Sequence, residues 1–214
     1  MATYVLIHGA GSDAWYWHLV APQLEARGHD VVAMDLPCDD DSAGFEEYRD
    51  TVLAAIGTRR DDLILVAQSL AGFTAPLVCE RVPVRLLVLV AAMVPAPGES
   101  AGDWWANTGW PQPPTDDPME LFLHDVPADV AAASADHVRN QSGTPFAEPW
   151  PLAAWPDVPT RFLLCRDDRF FPADFQRRVV KERLGIAPDE MPGGHLPALA
   201  RAGDLAERLD AYGR

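Results

Sequence analysis

Lysine is nearly missing from this 214-residue chain: Lys181 is the only one, and the other cationic side chains are arginines. Seventeen Lys and Arg face thirty-two Asp and Glu, a net charge of −15, and no block of basic residues offsets it. That balance excludes the electrostatic footprint of a nucleic-acid binder, so no nucleic-acid partner is expected. Cysteine is scarce as well. Cys38, Cys79 and Cys165 are an odd number without metal-type spacing, which reads as free thiols in a reducing compartment. The six histidines show no H-E-x-x-H or comparable ligand pattern, and no metal is expected. The opening MATYVLIHGAG has neither a charged n-region nor a long apolar core, so no secretory signal is expected. The longest apolar stretch, LLVLVAAMVPAP from Leu86, is broken by Pro95 and is too short for a membrane span. A cytoplasmic protein without membrane or nucleic-acid partners is the expectation.

The composition that remains, 48% apolar and 23% charged, is that of a globular chain able to bury a substantial core. Short apolar runs at Tyr4–Ile7, Val31–Met34, Leu63–Val66, Arg85–Ala91 and Arg161–Cys165 are continuous, not alternating. Continuous runs suit parallel strands covered on both faces. A last strand is expected near Pro188–Met191. Between the runs lie helical patterns at about Trp17–Arg27, Ala43–Thr58, Ala71–Arg81, Ala173–Leu184 and Leu196–Tyr212, with Gly28 and Gly57 as C-terminal stops. The alternation predicts an α/β fold, a doubly wound and mostly parallel six-stranded sheet in one domain spanning 1–214. The rhythm breaks between Pro95 and Pro159, where prolines gather with Trp104, Trp105, Trp110, Trp150 and Trp155. A helical lid insertion at about 95–159, with a helix near Pro127–Val138, fits that segment. Its tryptophans are read as packing first and substrate contacts second.

Open α/β sheets place ligands at the carboxyl ends of their strands, so the residues after each strand are the site candidates. His8-Gly9-Ala10-Gly11 follows the first, Gln68-Ser69-Leu70 the third, Arg166-Asp167-Asp168-Arg169 the fifth and Gly193-Gly194-His195 the last. In LILVAQSLAGF an apolar strand stops at Ser69 and a helix begins, flanked by Ala67, Ala71 and Gly72. A sharp strand-to-helix turn of that kind exposes a hydroxyl where a base can reach it. The order Ser, Asp, His makes Ser69 the candidate nucleophile, His195 the base and Asp168 the acid, with Asp167 the alternative. Asp168 is preferred because Pro172, four residues on, starts the next helix directly behind the acid loop. Oxyanion donors are expected from the N–H groups of Ala10 and Leu70. His8 is read as a brace for its loop. HGAG lacks the G-x-G-x-x-G and Walker patterns, so no nucleotide cofactor is expected. Trp104, Trp105, Phe122 and His124 are candidate lid contacts to a small-molecule substrate.

YVLIHGAGSDAWYWHLVAPQLEARGHDVVAMDLP, LVAQSLAG, RDDRFFPADFQRR and GGHLPAL, in that order, resemble the α/β-hydrolase superfamily across nearly the whole chain except the lid. More closely they are similar to the branch of plant methyl esterases and hydroxynitrile lyases with their small bacterial esterase relatives. The resemblance implies the α/β-hydrolase fold without its leading hairpin. It also implies a nucleophile at Ser69, an acid at Asp168, a base at His195 and oxyanion donors at Ala10 and Leu70. Two departures stand out. Alanines 67 and 71 replace the usual elbow glycines, with Gln68 where histidine is frequent. Leu196 stands where hydroxynitrile lyases carry a lysine, which disfavours cyanohydrin cleavage. The expected activity is hydrolysis of a carboxylic ester of a small apolar or aromatic compound through an acyl-enzyme. The alternatives are lyase or proton-transfer chemistry with the same residues, or ligand binding over a slow or vestigial triad.

Overall fold

Backbone N–H and C=O groups of a strand buried on both faces must pair with neighbouring strands. The apolar runs do so in a computed structural model that describes residues 1–214. The strands are β1 (Thr3–Ile7), β2 (Asp30–Ala33), β3 (Leu63–Gln68), β4 (Leu86–Val90), β5 (Thr160–Cys165) and β6 (Asp189–Met191). They form one six-stranded sheet in the order β2-β1-β3-β4-β5-β6, every pair parallel. The chain winds outward in one direction to β2 and then in the other from β3. The switch point therefore falls between β1 and β3, where ligands of such sheets bind. Ile7 pairs with Ala67 there, so the loops after these two strands leave the sheet side by side.

Side chains alternate across the sheet, and each face meets its own layer of helices. Val5, Ile7, Leu63, Leu65 and Ala67 pack with α2 (Phe45–Ile56), α3 (Ala71–Cys79) and α8 (Ala173–Leu184). Tyr4, Leu6, Ile64 and Val66 pack instead with α1 (Ala21–Glu25), α9 (Pro197–Ala200) and α10 (Ala202–Tyr212). Two expected helices are shorter than their patterns. Of Trp17–Arg27 only α1 is helical, preceded by a 3₁₀ turn at Ala14–Trp17, because Pro22 has no N–H to carry a helix through it and sits in the first turn instead. Leu196–Tyr212 divides at Arg201, whose backbone (φ −139°, ψ 41°) leaves the helical region between α9 and α10.

Between β4 and β5 the chain makes four short helices, α4 (Ala101–Asn107), α5 (Pro118–Leu121), α6 (Ala128–Ser134) and α7 (Thr144–Ala147), with a 3₁₀ turn at Ala135–His137 extending α6. The root of this segment is fixed by charge. Arg183 on α8 forms two hydrogen bonds to the buried Glu99 carboxylate, which also accepts from Asn107 Nδ2 at 3.0 Å and Ala96 N at 3.1 Å. Burial alone would raise the Glu99 carboxyl. The guanidinium and the other donors outweigh it and hold the group below the ordinary glutamate value.

Tight packing is most demanding where β3 turns into α3. A Cβ on Gly72 would lie 1.8 Å from the Met93 carbonyl oxygen, backbone that cannot yield. Gly72→Ala is therefore expected to cost more than about 4 kcal/mol, visible as lost expression or a collapsed urea midpoint. Glu99→Ala strands the Arg183 charge and should cost about 3–5 kcal/mol in urea unfolding at neutral pH. Because Glu99 titrates lower folded than unfolded, its contribution is complete above the unfolded glutamate value and disappears as pH falls through the lowered one. The stability gap between wild type and Glu99→Gln should accordingly narrow in unfolding curves taken at increasingly acid pH.

Candidate active site

Ser69 sits between β3 and α3 with φ of +52°, a left-handed conformation uncommon for a residue with a side chain. Such a residue persists only where its surroundings fix it. Here the Ser69 N–H donates to Val90 O at 3.3 Å, and its carbonyl accepts from Gly72 N at 3.1 Å and Met93 N at 2.9 Å. The elbow is thus clamped to the exit of β4, and the hydroxyl projects beyond the sheet edge.

His195 reaches that hydroxyl from the loop after β6. Its Nε2 is 3.1 Å from Ser69 Oγ, and its Nδ1 is 2.8 Å from Asp168 Oδ2. With the Nδ1 proton donated to the carboxylate, Nε2 accepts from the serine hydroxyl. The other oxygen of Asp168 accepts two backbone N–H groups, from Phe170 and Phe171, both at 2.8 Å. Asp168 and His195 are buried, and Ser69 is half-buried. The structure brings Asp168, not Asp167, to the imidazole. Asp167, the alternative acid, instead accepts the Gly193 N–H at 2.8 Å and ties down the histidine loop. Gln68 adds a second tie, donating from Nε2 to the His195 carbonyl at 3.1 Å.

The N–H groups of Ala10 and Leu70 have no protein acceptor, and both residues line the cavity in front of Ser69. His8 braces the Ala10 loop: its Nδ1–H donates to Gly9 O at 2.7 Å, and Leu36 N donates to its Nε2 at 3.0 Å. Burial holds this imidazole below the ordinary histidine value, in the neutral form that both bonds require.

The cavity has a volume of about 450 Å³ and a largely apolar wall, with rings from Trp15, Trp105, Phe122, Phe146 and Phe170. Arg139 is its one arginine, and the guanidinium is engaged with Leu36 O at 2.8 Å and with Asp39. Phe122, a predicted contact, lies on the wall with its ring 5.5 Å from the His195 ring. Two other predicted contacts do not. Trp104 is fully buried against Phe171 and Phe175, its indole N–H donating to Val94 O at 3.0 Å, so it belongs to the core; its neighbour Trp105 faces the cavity. His124 is turned toward the Gly194 backbone, outside the wall. Phe170, two residues beyond Asp168, could have been marked from its place in the acid loop. Trp15 and His137, stacked with ring centroids 4.3 Å apart, come from segments far apart in sequence and carry no local signal. No group of three or more His, Cys, Asp or Glu side chains is arranged to hold a metal, and no helix is long and apolar enough to cross a membrane.

A family model described as the alpha/beta hydrolase family matches residues 4–208. The chain belongs to the α/β-hydrolase family. This hydrolase lies on the methylesterase side of that family. It is 26% identical to Methylesterase 7 of Arabidopsis thaliana, over 96% of this chain and 94% of that protein. It is also 26% identical to a pyrethroid hydrolase of Sphingobium wenxiniae, over 96% of this chain and 85% of that one. Among solved structures, a pyrethroid hydrolase from Sphingobium faniae superposes with a TM-score of 0.84 at 25% identity, covering 99% of this chain and 97% of that one. Polyneuridine aldehyde esterase gives the same TM-score at 20% identity over the full length of both chains, a likeness of fold. At this modest identity, the curated relatives that the chain matches include proteins named as esterases and hydrolases.

Proposed function

We propose that the chain is a serine esterase for small, uncharged apolar or aromatic carboxylic esters, working through an acyl-enzyme. One observation carries the reading: an unbroken run of hydrogen bonds from Ser69 Oγ through His195 to Asp168, facing two N–H groups without acceptors. His195 Nε2 removes the hydroxyl proton as Ser69 Oγ bonds to the ester carbonyl carbon. The carbonyl π electrons move to oxygen, and the Ala10 and Leu70 N–H groups hold the oxyanion. Collapse expels the alkoxide, which takes the proton from His195 and leaves as the alcohol. Water then repeats the sequence, releasing the acid and restoring Ser69. Asp168 fixes the tautomer and stabilises the imidazolium.

The substrate class follows from the wall. Aromatic rings and an engaged arginine offer apolar area and no free counter-charge, so a neutral ester enters at lower desolvation cost than a charged one. Leu196, beside the base, supplies no cation for a cyanide leaving group, which argues against the lyase alternative. The thiols of Cys38, Cys79 and Cys165 are unpaired, and burial raises all three, Cys79 to about 12. Inert free thiols support a cytoplasmic setting as part of the same proposal.

A fluorophosphonate probe should label wild type once, at Ser69, and leave Ser69→Ala untouched. A folded wild type that resists the probe overturns the reading. Asp168→Asn should lower kcat on a p-nitrophenyl ester by on the order of 10⁴-fold, the scale of loss when the acid of a serine-protease triad is neutralised. Asp167→Asn, which touches only the histidine loop, should cost far less; equal losses would reassign the acid.

A further inference from the structure

The insertion does more than cover the cavity. Two of its side-chain oxygens reach the two loops that carry the chemistry. Asp125, between α5 and α6, accepts the Gly194 N–H on Oδ2 at 2.7 Å, immediately before His195. It is the only hydrogen bond of that carboxylate, whose Oδ1 is buried without a partner. Gln141, between α6 and α7, accepts the Gly11 N–H on Oε1 at 3.0 Å, immediately after Ala10. Its amide N–H₂ is anchored in turn to Tyr48 Oη at 3.1 Å and Ser142 O at 3.0 Å. The Arg139 N–H also donates to Gly11 O at 2.9 Å, so the insertion holds both polar groups of this glycine.

Both contacts depend on the loop residue having no side chain. A Cβ on Gly194 would lie 2.7 Å from both Asp125 Oδ1 and His124 Cε1. Gly11 has φ of +61°, and a Cβ there would meet the Arg139 carbonyl oxygen at 3.1 Å. The glycines of HGAG and GGH thus give the insertion close access to both loops.

We propose that Asp125 and Gln141 are positioning residues: from the lid, they set the His195 ring and the Ala10 N–H in their working places. The proposal rests on the serine-esterase reading above. A buried backbone N–H without its acceptor shifts toward another partner, and a displacement of about 1 Å at a reacting group can cost about 100-fold in rate. Neither side chain lines the cavity, so substrate affinity is not their business.

The test measures kcat and KM on a p-nitrophenyl ester, fluorophosphonate labelling of Ser69, thermal midpoint, and affinity for an aryl trifluoromethyl ketone. That ketone adds Ser69 Oγ to its carbonyl carbon, sends the hydroxyl proton to His195 and leaves an oxyanion for Ala10 and Leu70. Gln141→Ala should lower kcat and ketone affinity together, by about 10- to 100-fold, with KM within about threefold of wild type. Asp125→Ala should lower kcat and the labelling rate by a similar factor. Gln141→Glu and Asp125→Asn, which keep an acceptor oxygen, should recover most of the loss. If the alanine variants unfold, Gln141→Met and Asp125→Leu keep side-chain bulk without the acceptor and should show the same losses. Wild type labelled at Ser69 with kcat unchanged in the acceptor-free variants overturns the proposal and leaves the esterase reading intact. A loss that appears in KM alone, or that the conservative variants fail to restore, overturns it too. Folded wild type that is not labelled removes the esterase reading and this proposal with it.

Discussion

The left-handed backbone of Ser69 is the constraint on which the rest depends. A serine at φ +52° is strained by about 1–3 kcal/mol, and nothing in its own side chain compensates. What holds it is the exit of β4, through Val90 O and Met93 N on one side and the bare Cα of Gly72 against Met93 O on the other. The sheet therefore stabilises the elbow through backbone contacts that no side-chain substitution within β3 can replace. That explains how alanines at 67 and 71 are tolerated in place of the more usual glycines. Ala67 is a buried strand residue and Ala71 a helix residue, and the closest backbone approach falls at Gly72.

The parts of the fold written in local pattern were legible from the residues. Five continuous apolar runs became five strands within a residue or two; a parallel strand covered on both faces must be apolar throughout, and only the edge strand β2 is largely exposed. The breaks inside Trp17–Arg27 and Leu196–Tyr212 were missed, since an apolar face continues across both even though Pro22 and Arg201 interrupt the hydrogen bonding. The candidate site was readable for the same reason the strands were: its residues follow strand ends, and parallel strands bring those ends to one edge. Asp168 could be separated from Asp167 by its distance to Pro172. Trp104 and Trp105 could not be separated, because adjacent residues on a short helix differ only in direction. The hydrogen bonds of Asp125 and Gln141 were wholly illegible. They join residues 69 and 130 positions apart, and no periodicity encodes a contact at that range.

Charge is distributed in keeping with this division of labour. The chain carries a net −15, yet the cavity wall holds no carboxylate, and its arginine is bound to a carbonyl and to Asp39. The carboxylates near the chemistry are each committed to particular donors: Asp168 to His195 and two backbone N–H groups, Asp167 to Gly193, Asp125 to Gly194. A loosely held carboxylate at this edge would compete for the imidazole proton. Fixed to backbone donors, Asp167 and Asp125 hold loops in place without competing for the Nδ1–H that Asp168 accepts as a hydrogen bond.

The loops at the sheet edge are held from two directions, and the two holds differ in kind. From below, Gln68 grips the His195 carbonyl and His8 ties the Ala10 loop to Leu36, both through groups rooted in or beside strands. From above, Asp125 and Gln141 grip the N–H groups of Gly194 and Gly11 from a segment of short helices. Each loop is thus held both by groups rooted in the sheet and by groups of the insertion. A shift of the insertion would free the upper anchors while the lower ones stayed, loosening His195 and Ala10 without disturbing the Ser69 elbow. The Ser69 elbow is held by the sheet, whereas the His195 and Ala10 loops are held by the sheet and the insertion together.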